Sequence, residues 1–165
     1  MNKEQQIKQW FEINFDKNIE NINITKELYD FGSKEKRLKF DYYALLKAIE
    51  HVENNRDIDI VLFNVMIRIG CNLEIHFNET NFFYILENTL IRKNRDYGNS
   101  FDKSINKFGY VYVAIELDKK KNRLHNLLKT KEKPNYESLK DTLIDIADYC
   151  ILSLIYIENK NKDNE

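Results

Sequence analysis

Acidic residues near the end of the chain carry the clearest chemical signal in the sequence. They recur at steps of four, four and three: Glu137, Asp141, Asp145 and Asp148. On an α-helix this spacing places them within an arc of about 80°, so that their carboxylates point the same way. Like charges repel at these spacings, and oxygen ligands of this kind suit Mg²⁺. The pattern indicates a metal site or, alternatively, the solvated face of an amphipathic helix.

A second polar stripe precedes these acids. Glu116, Lys119, Arg123 and Asn126 recur at steps of three and four, which places them on one face of a helix. Across an antiparallel contact the two bases could pair with the acids of the last helix. Arg123 could instead bind a phosphate through two hydrogen bonds. A phosphate site and an interhelical salt-bridge network both remain open at this point.

The segment from Lys93 to Phe101, which connects two predicted helices, combines basic residues, an aromatic ring, a glycine and a hydroxyl group. Gly98 lets the backbone approach a ligand closely, and the ring of Tyr97 could stack on a nucleobase. The start of the following helix, near Ser100, can receive an anion, and Lys93 and Asp96 belong to the same segment. The alternative is a plain turn with Tyr97 packed in the core.

Long helices must position these residues. The chain has 165 residues with only 4 Gly and 1 Pro, too few for the many turns of a sandwich or barrel. The spacing of apolar residues predicts helices over 4–13, 36–54, 57–70, 79–95, 102–129 and 137–158. Residues 57–70 are rich in β-branched side chains, but their length and the terminal Gly70 favour a helix. Residues 14–35 are predicted to form a loop with one helical turn.

The fold class follows from these elements. We expect an all-α protein, a compact bundle of about five to six helices, in one domain over residues 1–165. The last two helices should form an antiparallel pair, joined by a polar linker at residues 130–136 around the only proline.

Charge and hydropathy narrow the range of partners and compartments. A net charge of -1 gives no overall attraction to nucleic acid or acidic membranes. The N-terminus has no signal-peptide core, and the most apolar stretch, residues 143–157, is too short and too charged to span a bilayer. Cys71 and Cys150 lie in apolar surroundings, as buried free thiols do. We expect a cytoplasmic protein with no membrane partner.

Three ordered motifs resemble those of the phage nucleotide-modification-associated domain. They are Lys93-x-x-Asp96-Tyr97-Gly98-x-Ser100-Phe101, Asp118-Lys119 with Arg123-Leu124, and Glu137-Ser138-Leu139-x-Asp141-Thr142-Leu143-x-Asp145-x-Ala147-x-Tyr149. The resemblance covers residues 82–157, within a C-terminal part at 81–158. It implies a phage or prophage protein that handles nucleotides in a bacterial host cell. The N-terminal part, residues 1–80, has no such counterpart.

The helical pattern is also distantly similar to the MazG-like nucleoside triphosphate pyrophosphohydrolases. Those enzymes hold Mg²⁺ between acidic motifs on two antiparallel helices. Asp145 and Asp148 stand where their second acidic pair would be, whereas Glu116 is followed three residues later by Lys119 rather than by an acid. That departure weakens the expectation of metal-dependent hydrolysis and leaves simple binding open.

Two functional hypotheses follow from these resemblances. In the first, an enzyme hydrolyses a nucleotide phosphoanhydride, with Glu116, Asp145 and Asp148 as catalytic residues. Mg²⁺ would be held by Glu116, Asp141, Asp145 and Asp148. Substrate would be bound by Lys93, Asp96, Tyr97, Ser100, Lys119 and Arg123.

The second hypothesis is a non-catalytic protein of a mobile element. It would capture a nucleotide, including a signalling nucleotide of host defence, or inhibit a host protein. An all-helical interaction protein with ordinary salt bridges is the remaining alternative. We also expect a homodimer, because helical nucleotide hydrolases of the MazG-like kind often assemble their sites at subunit interfaces.

Overall fold

A computed structural model describes residues 1–129 and 136–164 of the chain. These residues form helices and no strand, so the predicted all-α class is confirmed. The eight helices are α1 (Lys3–Lys17), α2 (Ile19–Asp30), α3 (Lys34–Glu53), α4 (Ile58–His76), α5 (Phe82–Tyr97), α6 (Ser100–Phe108), α7 (Tyr110–Lys129) and α8 (Tyr136–Asp163). They exceed the five to six expected. The predicted linker at 130–136 lies almost wholly outside the described residues.

The apolar helix α4 occupies the centre of the bundle, where α2, α3, α5 and α8 pack against it. The predicted helix at 57–70 is therefore confirmed, but it continues to His76 instead of ending at Gly70. A Cβ atom at Gly70 would lie 2.3 Å from the ring of Phe82. The glycine thus permits the close approach of α5 to α4 and does not end the helix.

The N-terminal half departs most from expectation. The loop predicted over residues 14–35 is wrong, because α1 continues to Lys17 and α2 follows after Asn18. Burial of Ile22 and Tyr29 on one face of α2 outweighs the weak helix propensity of its asparagines. Tertiary packing rather than local preference forms this helix.

Gly109 divides the helix that was predicted over residues 102–129. Its φ of 72° lies in the left-handed region, which glycine adopts without strain, and α6 and α7 meet there. At the other end of the chain, α8 runs past residue 158 to Asp163. None of the helices within 1–129 and 136–164 is long and apolar enough to cross a membrane.

The predicted antiparallel pair is confirmed by the register of α7 against α8. Residue numbers fall along α7 as they rise along α8 through three hydrogen-bonded pairs. These are Lys120 with Asp145, Arg123 with Thr142, and Glu116 with Tyr149. Both cysteines are buried and free, as expected.

Candidate functional site

A cavity of about 320 Å³ opens among α5, α6, α7 and α8, and we call it the α5–α8 cavity. Charged, aromatic and small residues share its wall. They are Lys3, Leu90, Lys93, Asn94, Gly98, Asn99, Ser100, Phe101, Tyr112, Lys120, Asp145, Asp148, Tyr149 and Leu152. A larger groove of about 640 Å³, lined by residues of α1 to α4 and α8, contains no predicted site residue. The smaller cavity, in contrast, is lined by four of the predicted site residues.

Two lysines and two aspartates alternate along one side of this cavity. The Nζ atom of Lys93 lies 3.0 Å from Oδ1 of Asp145 and 2.6 Å from Oδ2 of Asp148. The Nζ atom of Lys120 lies 3.0 Å from Oδ2 of Asp145. We call these four residues the Lys93 cluster. It brings α5, α7 and α8 together through charge-assisted hydrogen bonds, the stronger class of such bonds.

The two aspartates of the Lys93 cluster differ in the direction of their pKa shifts. Burial opposes the charge on Asp145, but hydrogen bonds from Lys120 and Lys93 outweigh it and lower the pKa of Asp145. Burial raises the pKa of Asp148 to about 7, and the charge of Lys93 offsets only part of that rise. Burial also opposes the charge on Lys93, yet the two carboxylates raise its pKa. Asp148 is thus the member of the cluster that exchanges a proton near neutral pH.

The start of α6 forms another part of the wall. Gly98 adopts a φ of 64°, and Asn99 and Ser100 follow it along the cavity. Asn99 precedes the helix and makes no side-chain capping bond within the described residues. The first N–H groups of a helix have no intrahelical partner, and together with the helix dipole they favour an anion. An anionic group in the cavity would find these donors beside the lysines.

Aromatic rings supply the remaining wall. The ring of Phe101 lies 5.6 Å from that of Tyr112 and 6.4 Å from that of Tyr149, between ring centroids. The hydroxyl group of Tyr149 donates a hydrogen bond of 3.1 Å to Oε2 of Glu116, which holds this ring in place. Such rings offer flat contacts for a nucleobase. The side chain of Tyr97, predicted for this role, lies outside what the structure describes.

The structure separates several of the predicted site residues from the cavity. Lys119 and Arg123 lie in a shallow groove on α7, beside Glu116. There Lys119 pairs with Glu116 at 3.0 Å, and Nε of Arg123 donates to the Thr142 hydroxyl at 3.1 Å. Asp96 and Asp141 are exposed. Of the predicted residues, the cavity therefore collects Lys93, Ser100, Asp145 and Asp148.

Among the described residues, the predicted magnesium ligands are not gathered into one cluster. Across 1–129 and 136–164, no group of three or more His, Cys, Asp or Glu side chains is placed to hold a metal. The carboxylates of Asp145 and Asp148 both bind the ammonium group of Lys93. The side chain of Glu137 is outside the described part. Magnesium binding stays a prediction.

Among the residues of the cavity wall that sequence reasoning missed are Lys120, Tyr112 and Lys3. Lys120 lies one position from the predicted Lys119, and only the rotation of α7 decides which of the two faces Asp145. Tyr112 lies two helical turns before Lys119 and carries no motif. Lys3 is 90 residues before Lys93, so no local signal could connect the two.

The fold and the cavity together define an all-helical protein with a small cavity lined by lysines, aspartates and aromatic rings. Residues 93–157 match the family model of nucleotide modification associated domain 1. The resemblance inferred from the three motifs is thereby confirmed over that segment, which contains every lining residue except Lys3 and Leu90. No curated protein and no solved structure matches the chain. The similarity to MazG-like enzymes is not shown by any of these comparisons.

Proposed function

We propose that this protein binds a nucleotide in the α5–α8 cavity. The proposal rests on one observation: groups that can bind a phosphate and rings that can stack on a base line the same cavity. Lys93, Lys120, the start of α6 and the rings of Tyr112 and Tyr149 all line this cavity. The match of this segment to a nucleotide-associated family supports the same ligand class.

The size of the cavity favours one nucleotide over a nucleic-acid strand. Its volume of about 320 Å³ is at the lower end of the roughly 300–1,000 Å³ typical of small-molecule sites. The sequence has no overall positive charge, with 26 basic and 27 acidic residues, whereas strand-binding proteins track the phosphate backbone with a basic surface. A free mononucleotide is the ligand that fits both observations.

Binding would use each part of the wall in a distinct way. The phosphate would accept hydrogen bonds from the first N–H groups of α6 and from Lys93 and Lys120. The base would lie against the rings of Tyr112 and Tyr149. Because Asp148 exchanges a proton near pH 7, its protonation would reduce the negative charge beside the phosphate. No step in this account breaks a bond in the ligand.

The test is a calorimetric titration of the protein with nucleoside mono-, di- and triphosphates. Lys120→Met should raise the Kd at least tenfold, as expected for losing one charged hydrogen bond. Lys121→Met is the matched control, because Lys121 pairs with Asp118 and does not line the cavity. Equal affinity in both variants, or no binding of any nucleotide by the wild type, would overturn the proposal.

Recovery of the ligand separates binding from hydrolysis. We expect the nucleotide to be recovered intact by mass spectrometry after incubation with Mg²⁺, because the aspartates are engaged by lysine. Release of phosphate or pyrophosphate, lost in Asp145→Asn, would favour the phosphoanhydride hydrolase predicted from the sequence. The homodimer and a host protein target also stay predictions, which light scattering of the purified protein and a pull-down would address.

A further inference from the structure

The first helix reaches the α5–α8 cavity through its first residue. The side chain of Asn2 caps α1 by accepting a hydrogen bond from the backbone N–H of Gln5. The side chain of Gln5 in turn accepts one from the backbone N–H of Asn2. This capping box fixes where α1 begins. Lys3 is therefore held at a defined point, only 7% exposed, on the cavity wall.

The ammonium group of Lys3 lies beside the start of α6. Its Nζ atom is 2.9 Å from Oδ1 and 2.8 Å from Oδ2 of Asp102, which belongs to the first turn of α6. Removing a lysine from water is costly. An ion pair can link two helices without burying its cation. The neighbouring pair of Glu4 and Arg95, with an N–O distance of 2.8 Å, joins α1 to α5 while Arg95 stays well exposed.

We propose that Lys3 is a phosphate-binding residue of the α5–α8 cavity, supplied by a helix outside the segment that matches the family. The inference rests on the proposed function and extends it to the N-terminal part of the chain. A phosphate at the start of α6 would contact Lys3 together with the free N–H groups of the first turn. The capping box and burial hold the lysine in place, whereas Asp102 competes with the ligand for it and opposes the ligand's negative charge.

This assignment gives the N-terminal helix a role in binding. The matched segment alone would offer Lys93 and Lys120 to the ligand, and α1 adds a third lysine to the wall of the same cavity. Three cations around one group suit a terminal phosphate, whose charge exceeds that of a phosphodiester. The ligand class is thus a nucleotide with a free terminal phosphate, and a nucleoside without phosphate would gain nothing from Lys3.

The experiment compares ligands with and without a phosphate in matched variants. Calorimetric titrations use a nucleoside monophosphate, the corresponding nucleoside, and inorganic pyrophosphate. Lys3→Met should weaken the monophosphate and pyrophosphate at least tenfold and leave nucleoside affinity unchanged. Lys3→Arg should restore most of the loss. Asp102→Asn should tighten both anions severalfold, because it removes a competing negative charge while Lys3 remains.

Glu4→Gln is the control for a merely structural role. It removes the ion pair with Arg95 without touching the cavity, so it should lower thermal stability slightly and leave every Kd unchanged. Unchanged anion affinity in Lys3→Met, or weaker anion binding in Asp102→Asn, would overturn the role of Lys3 while nucleotide binding stands. A wild type that binds neither monophosphate nor pyrophosphate would overturn both proposals.

Discussion

Two buried carboxyl groups, one in each half of the molecule, share burial but differ in their partners. Asp41 is 1% exposed and Asp148 is 4% exposed, and burial raises the pKa of both to about 7. Asp41 accepts hydrogen bonds from the Tyr29 hydroxyl at 2.5 Å and the Asn72 amide at 2.7 Å. Asp148 is bound by the ammonium group of Lys93 at 2.6 Å.

The difference in partners separates a structural polar centre from a candidate functional one. Neutral donors satisfy both oxygens of Asp41 in a network that joins α2, α3 and α4 away from the cavities described above, and the atom left there without a partner within the described part of the chain is Oδ1 of Asn72 rather than a carboxylate oxygen. Asp148 has one oxygen held by a cation, and its Oδ1 atom has no hydrogen-bond partner among the described residues. It also lines a cavity. A buried carboxyl group with a shifted pKa on the wall of a cavity is typical of functional sites.

The largest effect is expected when Asp148 loses its cation. Lys93→Met should reduce the free energy of unfolding by about 3 kcal/mol at pH 8, because a buried carboxylate is left unpaired. At pH 5 the loss should be smaller, since Asp148 is then protonated. Urea denaturation at both pH values measures the difference, and nucleotide titration should show a Kd raised at least tenfold. The same loss at both pH values would contradict this role of Asp148.

A smaller effect is expected at the other carboxyl group. Asp41→Asn should reduce the free energy of unfolding by about 2 kcal/mol, because a buried acceptor is replaced by a group that faces the Asn72 amide with its own donors. Nucleotide affinity should stay unchanged, in contrast to Lys93→Met. Calorimetry on the same preparation provides the check. A changed Kd would remove the distinction between the two centres.

The pH dependence of stability should follow from the raised pKa of Asp41. The folded protein holds this proton more tightly than the unfolded chain, whose reference pKa is 3.8. Its stabilising contribution is complete below about 3.8 and is lost as the pH rises through about 7. Between pH 6 and 8 the loss should be on the order of 1 kcal/mol.

Urea denaturation at successive pH values isolates this part of the slope. Asp41→Asn should flatten the dependence by that amount and leave the share due to Asp148, which has the same sign. An identical slope in the wild type and the variant would show that Asp41 does not titrate in this range.

The smallest effect is expected from the hydroxyl group of Tyr149. Tyr149→Phe removes its bond to Glu116 but keeps the ring on the cavity wall, so it should cost about 1 kcal/mol of unfolding free energy or less. Nucleotide affinity should change less than about threefold, since the ring supplies the contact. Denaturation and calorimetry measure both quantities. A loss as large as that of Lys93→Met would place the Tyr149 hydroxyl at the centre of the site.

Local sequence patterns determined the helical class and much of its layout. The apolar periodicity of α3, α5 and α8 predicts these helices because the spacing that buries one face is a property of each segment alone. The three motifs likewise identify the family segment. Local rules failed where packing decided the outcome, as in α2, or where a glycine adopted a left-handed conformation, as at Gly109.

The site itself was decided by tertiary structure. Lys93 lies between Asp145 and Asp148 because α5 meets α8, 52 and 55 residues away in the chain. Lys3 meets Asp102 across 99 residues. The acids alone indicated a cation, and the sequence suggested a metal. Only the packing of the helices shows that Lys93 lies beside these acids. The sequence of one helix determines which face each side chain occupies, but it does not determine which face of another helix that side chain meets.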